Sequence, residues 1–208
     1  MEDVLNQYEL PYDAERPVLC FDERPCQLIG DVVQPLPMEP GKVKREDYEY
    51  ERGGTCNLFV AFEPLAGKRI VAVFRHRTAT EYAIFMRMLS ELHYPSATKV
   101  VLVQDNLSTH TPGSFYRAFT AEQAYQLASR FELHYTPKKA SWLNMAEVEL
   151  SVISKQCLDR RIPDQQTLKK EVFALIEERN RANATVHWNF SKNNARQKLE
   201  RHYVNNHN

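Results

Sequence analysis

The stretch that most constrains this chain is KVVLVQDNLSTH, residues 99–110. Val100, Val101, Leu102 and Val103 run through Gln104 straight into Asp105. A short β-branched run ending in polar and turn residues reads as a strand buried on both faces. In open α/β sheets, chemistry collects just beyond the carboxyl ends of such strands. An aspartate delivered there is a poor choice for stability and a good one for holding a metal ion.

The rest of the chain can be read outward from this strand. Its 208 residues suit one α/β domain, or one with an appended helical piece. Residues 1–16 are polar and acidic without a clear period and read as an N-terminal arm. Residues 17–22, PVLCFD, read as a first strand that ends on Asp22 and Glu23. Residues 24–55 mix proline, glycine and charge, which predicts a long loop or arm, with at most a short hairpin. Residues 57–62 and 69–74 read as an antiparallel pair around EPLAGK. Thr78 with Glu81 predicts a capping box, opening a helix to about His93 with Ala83, Ile84, Met88, Leu89 and Leu92 inward. After the central strand come a helix capped by Thr120 and a short strand over 132–136. A helix over 142–158 and one from Asp164 to about Ala182 follow. This order predicts a mixed sheet with helices on its faces. If the strands ending at Asp22 and Asp105 lie side by side and parallel, both carboxylates emerge at one edge.

Composition narrows the partners and the compartment. There is no run of eighteen apolar residues and no basic-apolar-small leader, so neither a membrane span nor a signal peptide is expected. Cys20, Cys26, Cys56 and Cys157 form no CxxC pair, so reduced thiols in a cytoplasmic protein are expected. Net charge is zero but unevenly spread: residues 1–67 carry 14 acids against 6 bases, whereas residues 68–150 stand at +3 and 151–208 at +5. That asymmetry permits a polyanionic partner and is equally well explained as solvated surface.

Two strand-end aspartates make an incomplete metal site. Mg²⁺ takes hard oxygen ligands, and a pair of ions roughly 3.5–4 Å apart suits phosphoryl transfer. A third carboxylate could come from Glu147 or Glu149 on the helix after Pro137. Leu143, Ala146, Leu150, Ile153 and Cys157 make that helix's core stripe, and the two glutamates flank it on opposite sides. Periodicity therefore does not choose, although Glu147 shares its side with the small polar Asn144, Ser151 and Ser154. Asn106 is a candidate to orient Asp105, or a turn former; His110 is a candidate support for the site, or a structural histidine. Lys138 and Lys139 precede the glutamate helix, and Lys155, Arg160 and Arg161 are placed on its far side as phosphate contacts. Trp142 reads as a core or hinge residue before a base-stacking one.

FDE at 21–23, VQDNLSTH at 103–110 and HYTPKKASWLNMAEVELSVISKQCL at 134–158 together resemble the catalytic domain of mariner-type transposases. The resemblance is strongest to the bacterial insertion-sequence branch known as the IS-six-thirty family, which HWNF at 187–190 also resembles. It runs from about Pro17 to Leu199. It implies a ribonuclease-H-like fold, helices on both faces of the sheet, and an Asp-Asp-Glu triad matched here by Asp22, Asp105 and Glu147. The family's asparagine-x-x-glutamate pattern falls on Asn144 and Glu147. Also implied are two Mg²⁺ or Mn²⁺ ions, double-stranded DNA as substrate (element ends and target), strand cleavage with strand transfer, a homodimer, and a bacterial, nucleoid-associated setting. Two departures stand out: the spacing from Asp105 to Glu147 exceeds the family norm, with the excess placed around 116–126, and Met145 is atypical. Relatives carry a helix-turn-helix region upstream, so a separate helix-turn-helix chain, or a truncated product, is expected. The predicted division is an arm over 1–16, a catalytic domain over 17–160, and a C-terminal helix and basic tail over 161–208 packed on it. A ribonuclease-H-like nuclease without strand transfer and a non-catalytic DNA-binding remnant are the alternatives.

Overall fold

A computed structural model describes residues 1–33, 40–41 and 47–200. In chain order these form α1 (Glu2–Glu9), β1 (Val18–Asp31), β2 (Tyr50–Glu63), β3 (Lys68–Phe74), α2 (Ala79–Met88), β4 (Val100–Gln104), α3 (Ala121–Ser129), β5 (Phe131–Tyr135), α4 (Ala146–Gln156), α5 (Gln165–Arg181) and α6 (Lys192–Lys198). The strands make one sheet in the order β3-β2-β1-β4-β5. β1, β2 and β3 are antiparallel neighbours, whereas β1–β4 and β4–β5 are parallel. The two parallel joins require crossovers, supplied by α2 and α3. This is the mixed sheet the element order predicted.

Strand alternation sends successive side chains to opposite faces. Leu19, Phe21, Phe59 and Leu102 enter one core with Tyr82, Phe85, Met86 and Leu89 of the α2 region. On the other face Leu58, Val60 and Val73 pack against Leu150 and Ile153 of α4 and Leu168, Val172 and Ile176 of α5. A third cluster joins Cys20, Phe62 and Val103 to Val4 and Leu5 of α1 and Ala195 of α6. Helices thus cover both faces.

Four expectations are corrected. First, β1 does not end at Asp22; it continues to Asp31 and pairs with β2 from Cys20 to Asp31, so much of residues 24–55 is a long hairpin. Residues 34–39 and 42–46 of that stretch lie outside the described residues. Its composition misleads because β4 pairs only with the start of β1, leaving the extension an edge where Pro25 and charged side chains are tolerated. Second, the N-terminal arm is a docked helix: Val4 and Leu5 are fully buried, and Tyr8 Oη donates to the Leu143 carbonyl at 2.7 Å. Third, α2 buries Tyr82, Ala83, Phe85 and Met86, leaving Ile84 and Leu92 exposed. The bulk of the aromatic residues sets the inward face. A π-helical turn at Leu89–His93 then adds a residue to the turn and rotates Leu92 outward. Fourth, the helix foreseen from 142 is a 3₁₀ turn, Ser141–Leu143, followed by α4 from Ala146. Its core stripe is as expected: Leu143, Ala146, Leu150, Ile153 and Cys157 are all buried.

Capping follows the predicted logic. Thr78 and Thr120 both make reciprocal capping boxes, with Glu81 and Gln123, and the Asp164 side chain accepts from Thr167 N–H at 2.8 Å. The far part of the hairpin is clamped by the segment after α4. Ile29 N–H donates to the Ile162 carbonyl at 2.8 Å, and a Cβ on Gly53 would stand 2.3 Å from the Pro163 carbonyl oxygen. Among the described residues no helix is long and apolar enough to cross a membrane.

Candidate active site

The parallel register sets Cys20 opposite Val103. Two residues further along each strand bring Asp22, inside β1, level with Asp105, just past β4. Asp22 is held from the α4 side by Asn144. Its Nδ2 donates to the Phe21 carbonyl at 2.8 Å and to Asp22 Oδ2 at 3.3 Å, while its Oδ1 accepts from Ala146 N–H at 3.1 Å. One buried amide therefore joins the β1 aspartate to the first turn of α4, where Glu147 is exposed. Asp22 and Glu147 line a single cleft of about 340 Å³ with Glu23, Arg24, Ser151, Ser154 and Lys155.

Asp105 is organised by His110. His110 Nδ1 lies 2.5 Å from Asp105 Oδ1, and its Nε2 lies 3.0 Å from Glu23 Oε2. The ring is buried between Phe21, edge-on at 5.2 Å, and Tyr82, stacked at 5.0 Å. Burial opposes charge on His110, but the bonds and negative charge of Asp105 and Glu23 outweigh it and hold its pKa at about 9. The same hydrogen bond keeps the Asp105 carboxyl below its ordinary range. Asp22 moves the other way: burial, then the negative charge of Glu147, Glu23 and Asp105, push it up to about 7 against a backbone hydrogen bond from Glu23 N–H. The cleft is thus short of positive charge near Asp22.

That shortage, with an all-oxygen donor set, fits a hard divalent cation in kind. The acids are not gathered as a closed cage: among the described residues no three His, Cys, Asp or Glu side chains stand together as a ready ligand group. Of the three acids singled out from the sequence, Asp22 and Glu147 line the cleft and Asp105 stands at the end of the adjoining strand.

The choice between the two glutamates, open from periodicity, has a clear geometric answer. Glu149 is fully buried away from the cleft. It accepts from Arg69 at 2.7 Å and from Arg179 at 2.9 and 3.0 Å, and Arg69 also donates to the carbonyls of Gly67 and Ala184, each at 2.6 Å. Burial raises its pKa, but the two guanidiniums outweigh burial and lower it. Glu149 ties α4 to β3 and α5.

The predicted cationic residues divide. Lys138 and Lys139 are exposed in the turn after β5, Lys139 at φ +62°. Lys155 lines the acidic cleft itself, not the far side of α4. Arg160 is paired with Glu171. Arg161, predicted as a phosphate contact, is engaged within the chain. Its guanidinium holds the hairpin, bonding Asp31 at 2.7 Å and the carbonyls of Asp47 and Glu49 at 2.6 and 3.1 Å. Asn106 is exposed beside Asp105. Trp142 is half-exposed, stacked on Trp188 at 6.2 Å and edge-on to Phe190 at 5.6 Å.

Sequence reasoning missed Glu23, Arg24 and the role of Gln104. Gln104 is wholly buried, accepts from Tyr82 Oη at 2.9 Å and donates to the His110 carbonyl at 3.0 Å, pinning the loop that carries Asp105 and His110. The signal was present: a glutamine interrupting an otherwise apolar buried strand needs two partners. Glu23 was hidden because strand alternation turns it to the opposite face from Asp22, where only His110 reveals its use.

The sequence profile of the DDE superfamily endonucleases matches residues 17–169. The chain belongs to this family. Among solved structures, similar folds include the catalytic domain of the Mos1 mariner transposase (TM-score 0.55, 12% identity, covering 87% of this chain and 86% of that one). The Mos1 strand transfer complex (0.57, 15%, 87% and 54%) and the Mos1 mariner paired end complex with Mn (0.56, 14%, 87% and 55%) are also similar. The chain therefore spans just over half the length of those two Mos1 chains. No curated protein matches it significantly. These likenesses confirm the ribonuclease-H-like arrangement expected of the sheet. The family match also puts the endonuclease function on the domain that holds the cleft.

Proposed function

We propose that this DDE endonuclease domain is the catalytic part of a transposase, cutting double-stranded DNA at element ends and joining the freed ends to target DNA. One observation carries the reading. β1 and α4 deliver Asp22 and Glu147 to one cleft, tied by Asn144, with Asp105 at the end of the adjoining parallel strand. The Mos1 complexes, with their paired ends, strand transfer and Mn, support it.

Asp22, Asp105 and Glu147 would hold Mg²⁺ or Mn²⁺, two ions in the full reading, which when bound supplies Lewis-acid activation of an attacking oxygen and stabilisation of the leaving one. The chain's other residues position these acids. Asn144 holds the Asp22 carboxylate against α4. His110, braced by Glu23 and stacked on Tyr82, sets the orientation of Asp105. Lys138 and Lys139 add exposed positive charge, and Asn106 is placed to meet DNA beside Asp105. No side chain is needed as a covalent nucleophile, because water and then a 3′-hydroxyl can attack in line. Placement in the bacterial IS-six-thirty branch, a homodimer, a helix-turn-helix chain in trans and a nucleoid setting are further parts of the proposal, supported by the motifs at 21–23, 103–110 and 134–158.

The test is cleavage and joining of a labelled duplex in Mn²⁺ by the wild-type chain, with its helix-turn-helix partner supplied where required, against Asp105→Ala. Cleavage is expected to fall at least about 10³-fold, the scale of several kcal/mol of transition-state stabilisation. An Asp105→Ala protein that cuts at the wild-type rate overturns the proposal. Cut product without joined product assigns the nuclease activity alone.

A further inference from the structure

The cleft holds more than acids. Asp22 and Arg24 are two apart on β1, so their side chains leave the same face of the sheet, roughly 6.6 Å apart along the strand. Glu147 and Ser154 are seven apart on α4, two helical turns and one face, roughly 10.5 Å along the axis. Strand and helix together therefore build the cleft in two storeys. The lower storey is the pair Asp22 and Glu147, joined by Asn144. The upper storey is Arg24 and Ser154, with Ser151 between the levels and Lys155 beside them.

The upper storey carries positive charge. Arg24 Nη1 donates to Ser154 Oγ, and Ser154 in turn donates to the Leu150 carbonyl within α4, so the serine is fixed as an acceptor that steadies the guanidinium. Among the described residues that serine is the guanidinium's one hydrogen-bond partner. Lys155 has neither an ion pair nor a hydrogen bond among them. Both cations share a cleft with Asp22, Glu23 and Glu147, yet neither is neutralised by a carboxylate. Arg69, Arg160, Arg161 and Arg179, by contrast, all are. A guanidinium keeps five N–H donors in a planar fork suited to paired oxygens. One is spent on Ser154.

We infer that Arg24, steadied by Ser154 and assisted by Lys155, is a DNA-phosphate contact of this cleft, taking the backbone phosphate next to the one that a cation at Asp22 and Glu147 would meet. The inference rests on the proposed DNA reaction and adds a substrate-contacting residue to it. One strand of duplex carries a charge about every 3.4 Å of axis, so a neighbouring phosphate falls within reach of the upper storey. The lower storey alone repels a polyanion. The unpaired cations above it give the strand a place to bind without weakening the acids' hold on a cation.

The experiment is salt-dependent binding of a short labelled duplex in Ca²⁺ or Mn²⁺ by wild type, Arg24→Ala, Arg24→Lys, Lys155→Ala and Asp105→Ala, with thermal unfolding of each as a control on folding. Arg24→Ala is expected to reduce the slope of log affinity against log salt by about 0.9, the loss of one phosphate contact, and to weaken low-salt binding about tenfold. Arg24→Lys should keep the slope and lose part of the affinity, because a point charge replaces the fork. Lys155→Ala should lower the slope by a similar or smaller amount. Asp105→Ala should abolish cleavage, so failure of the catalytic reading shows in that variant's cleavage and failure of this one in the binding slope of Arg24→Ala. An unchanged slope in folded Arg24→Ala overturns the inference. A wild-type chain that binds no duplex at any salt overturns it together with the DNA reading.

Discussion

Glu149 shows how a single residue type serves two purposes on one helix. Two positions after the exposed Glu147, it is fully buried between Arg69 and Arg179. Removing one member of a buried ion group leaves uncompensated charge, which costs about 3–5 kcal/mol. Glu149→Gln is therefore expected to lower stability by that order in urea unfolding, whereas Glu147→Gln, exposed, should leave stability within about 0.5 kcal/mol. Glu63 makes a pH-dependent case far from the cleft. It is buried, its Oε2 accepts from Tyr94 Oη at 2.8 Å, and its Oε1 has no partner among the described residues. Burial raises its pKa, against the hydrogen bond from Tyr94 and the charge of Lys68. A carboxyl whose folded pKa is raised favours folding while protonated and opposes it as pH climbs through the folded value. Glu63→Gln, which mimics the protonated form, is expected to raise Tm relative to wild type at pH 8 and to lose that advantage by pH 4. An advantage that grows on acidification would contradict the assignment.

Among the elements, the hairpin formed by β1 and β2 depends on a close approach that a methyl group would forbid. The hydrogen that Gly53 carries in place of a Cβ lets the Pro163 carbonyl come near, and the Ile29–Ile162 bond and the Arg161 clamp lie alongside. Gly53→Ala is expected to destabilise by about 1–3 kcal/mol through forced displacement of that segment, measured by denaturant midpoint. Which elements were legible in the sequence follows from how each is stabilised. β4, α2, α3 and α5 carried strong local signals: a β-branched run for the strand, and N-caps at Thr78, Thr120 and Asp164 for the helices. Asp22 and Asp105 stood out as strand-end acids before any motif was matched, whereas Glu147 was preferred to Glu149 through the Asn144–Glu147 spacing of the resemblance, because periodicity did not separate the two. The extension of β1 past Asp22 was illegible because an edge ribbon tolerates proline and charge that a central strand excludes. The helix α1 was missed because its two fully buried residues, Val4 and Leu5, are adjacent in sequence and set no helical period. The tie of Glu149 to Arg69 joins residues 80 apart, and no local pattern encodes such a pair.

At the level of the whole molecule, α1 and α6 meet. α1 and α6 share a cluster with Cys20, Phe62 and Leu143, and Arg196 pairs with Glu2 across it. The buried apolar side chains carry this contact, because exposed ion pairs are worth at most about 1 kcal/mol. Deleting residues 1–9 uncovers the sites of Val4 and Leu5, each worth roughly 1.5–3 kcal/mol. Tm is expected to fall by roughly 6–24 °C for a chain of this size, whereas Glu2→Gln should move it by less than about 4 °C. A deletion that unfolds at the wild-type temperature would show the helix to be an appendage after all.

The buried tie at Glu149 also bears on when the cleft comes into being. Every acid that lines it is encoded by residue 147, but the guanidinium that completes the tie belongs to Arg179, and the last carbonyl holding Arg69 belongs to Ala184. During synthesis, or in any product cut short before these positions, the chain carries its full set of acids while Glu149 of α4 has only one of its two guanidiniums, Arg69. The order of translation therefore makes full seating of α4 wait on residues that lie more than thirty positions beyond the last acid of the cleft.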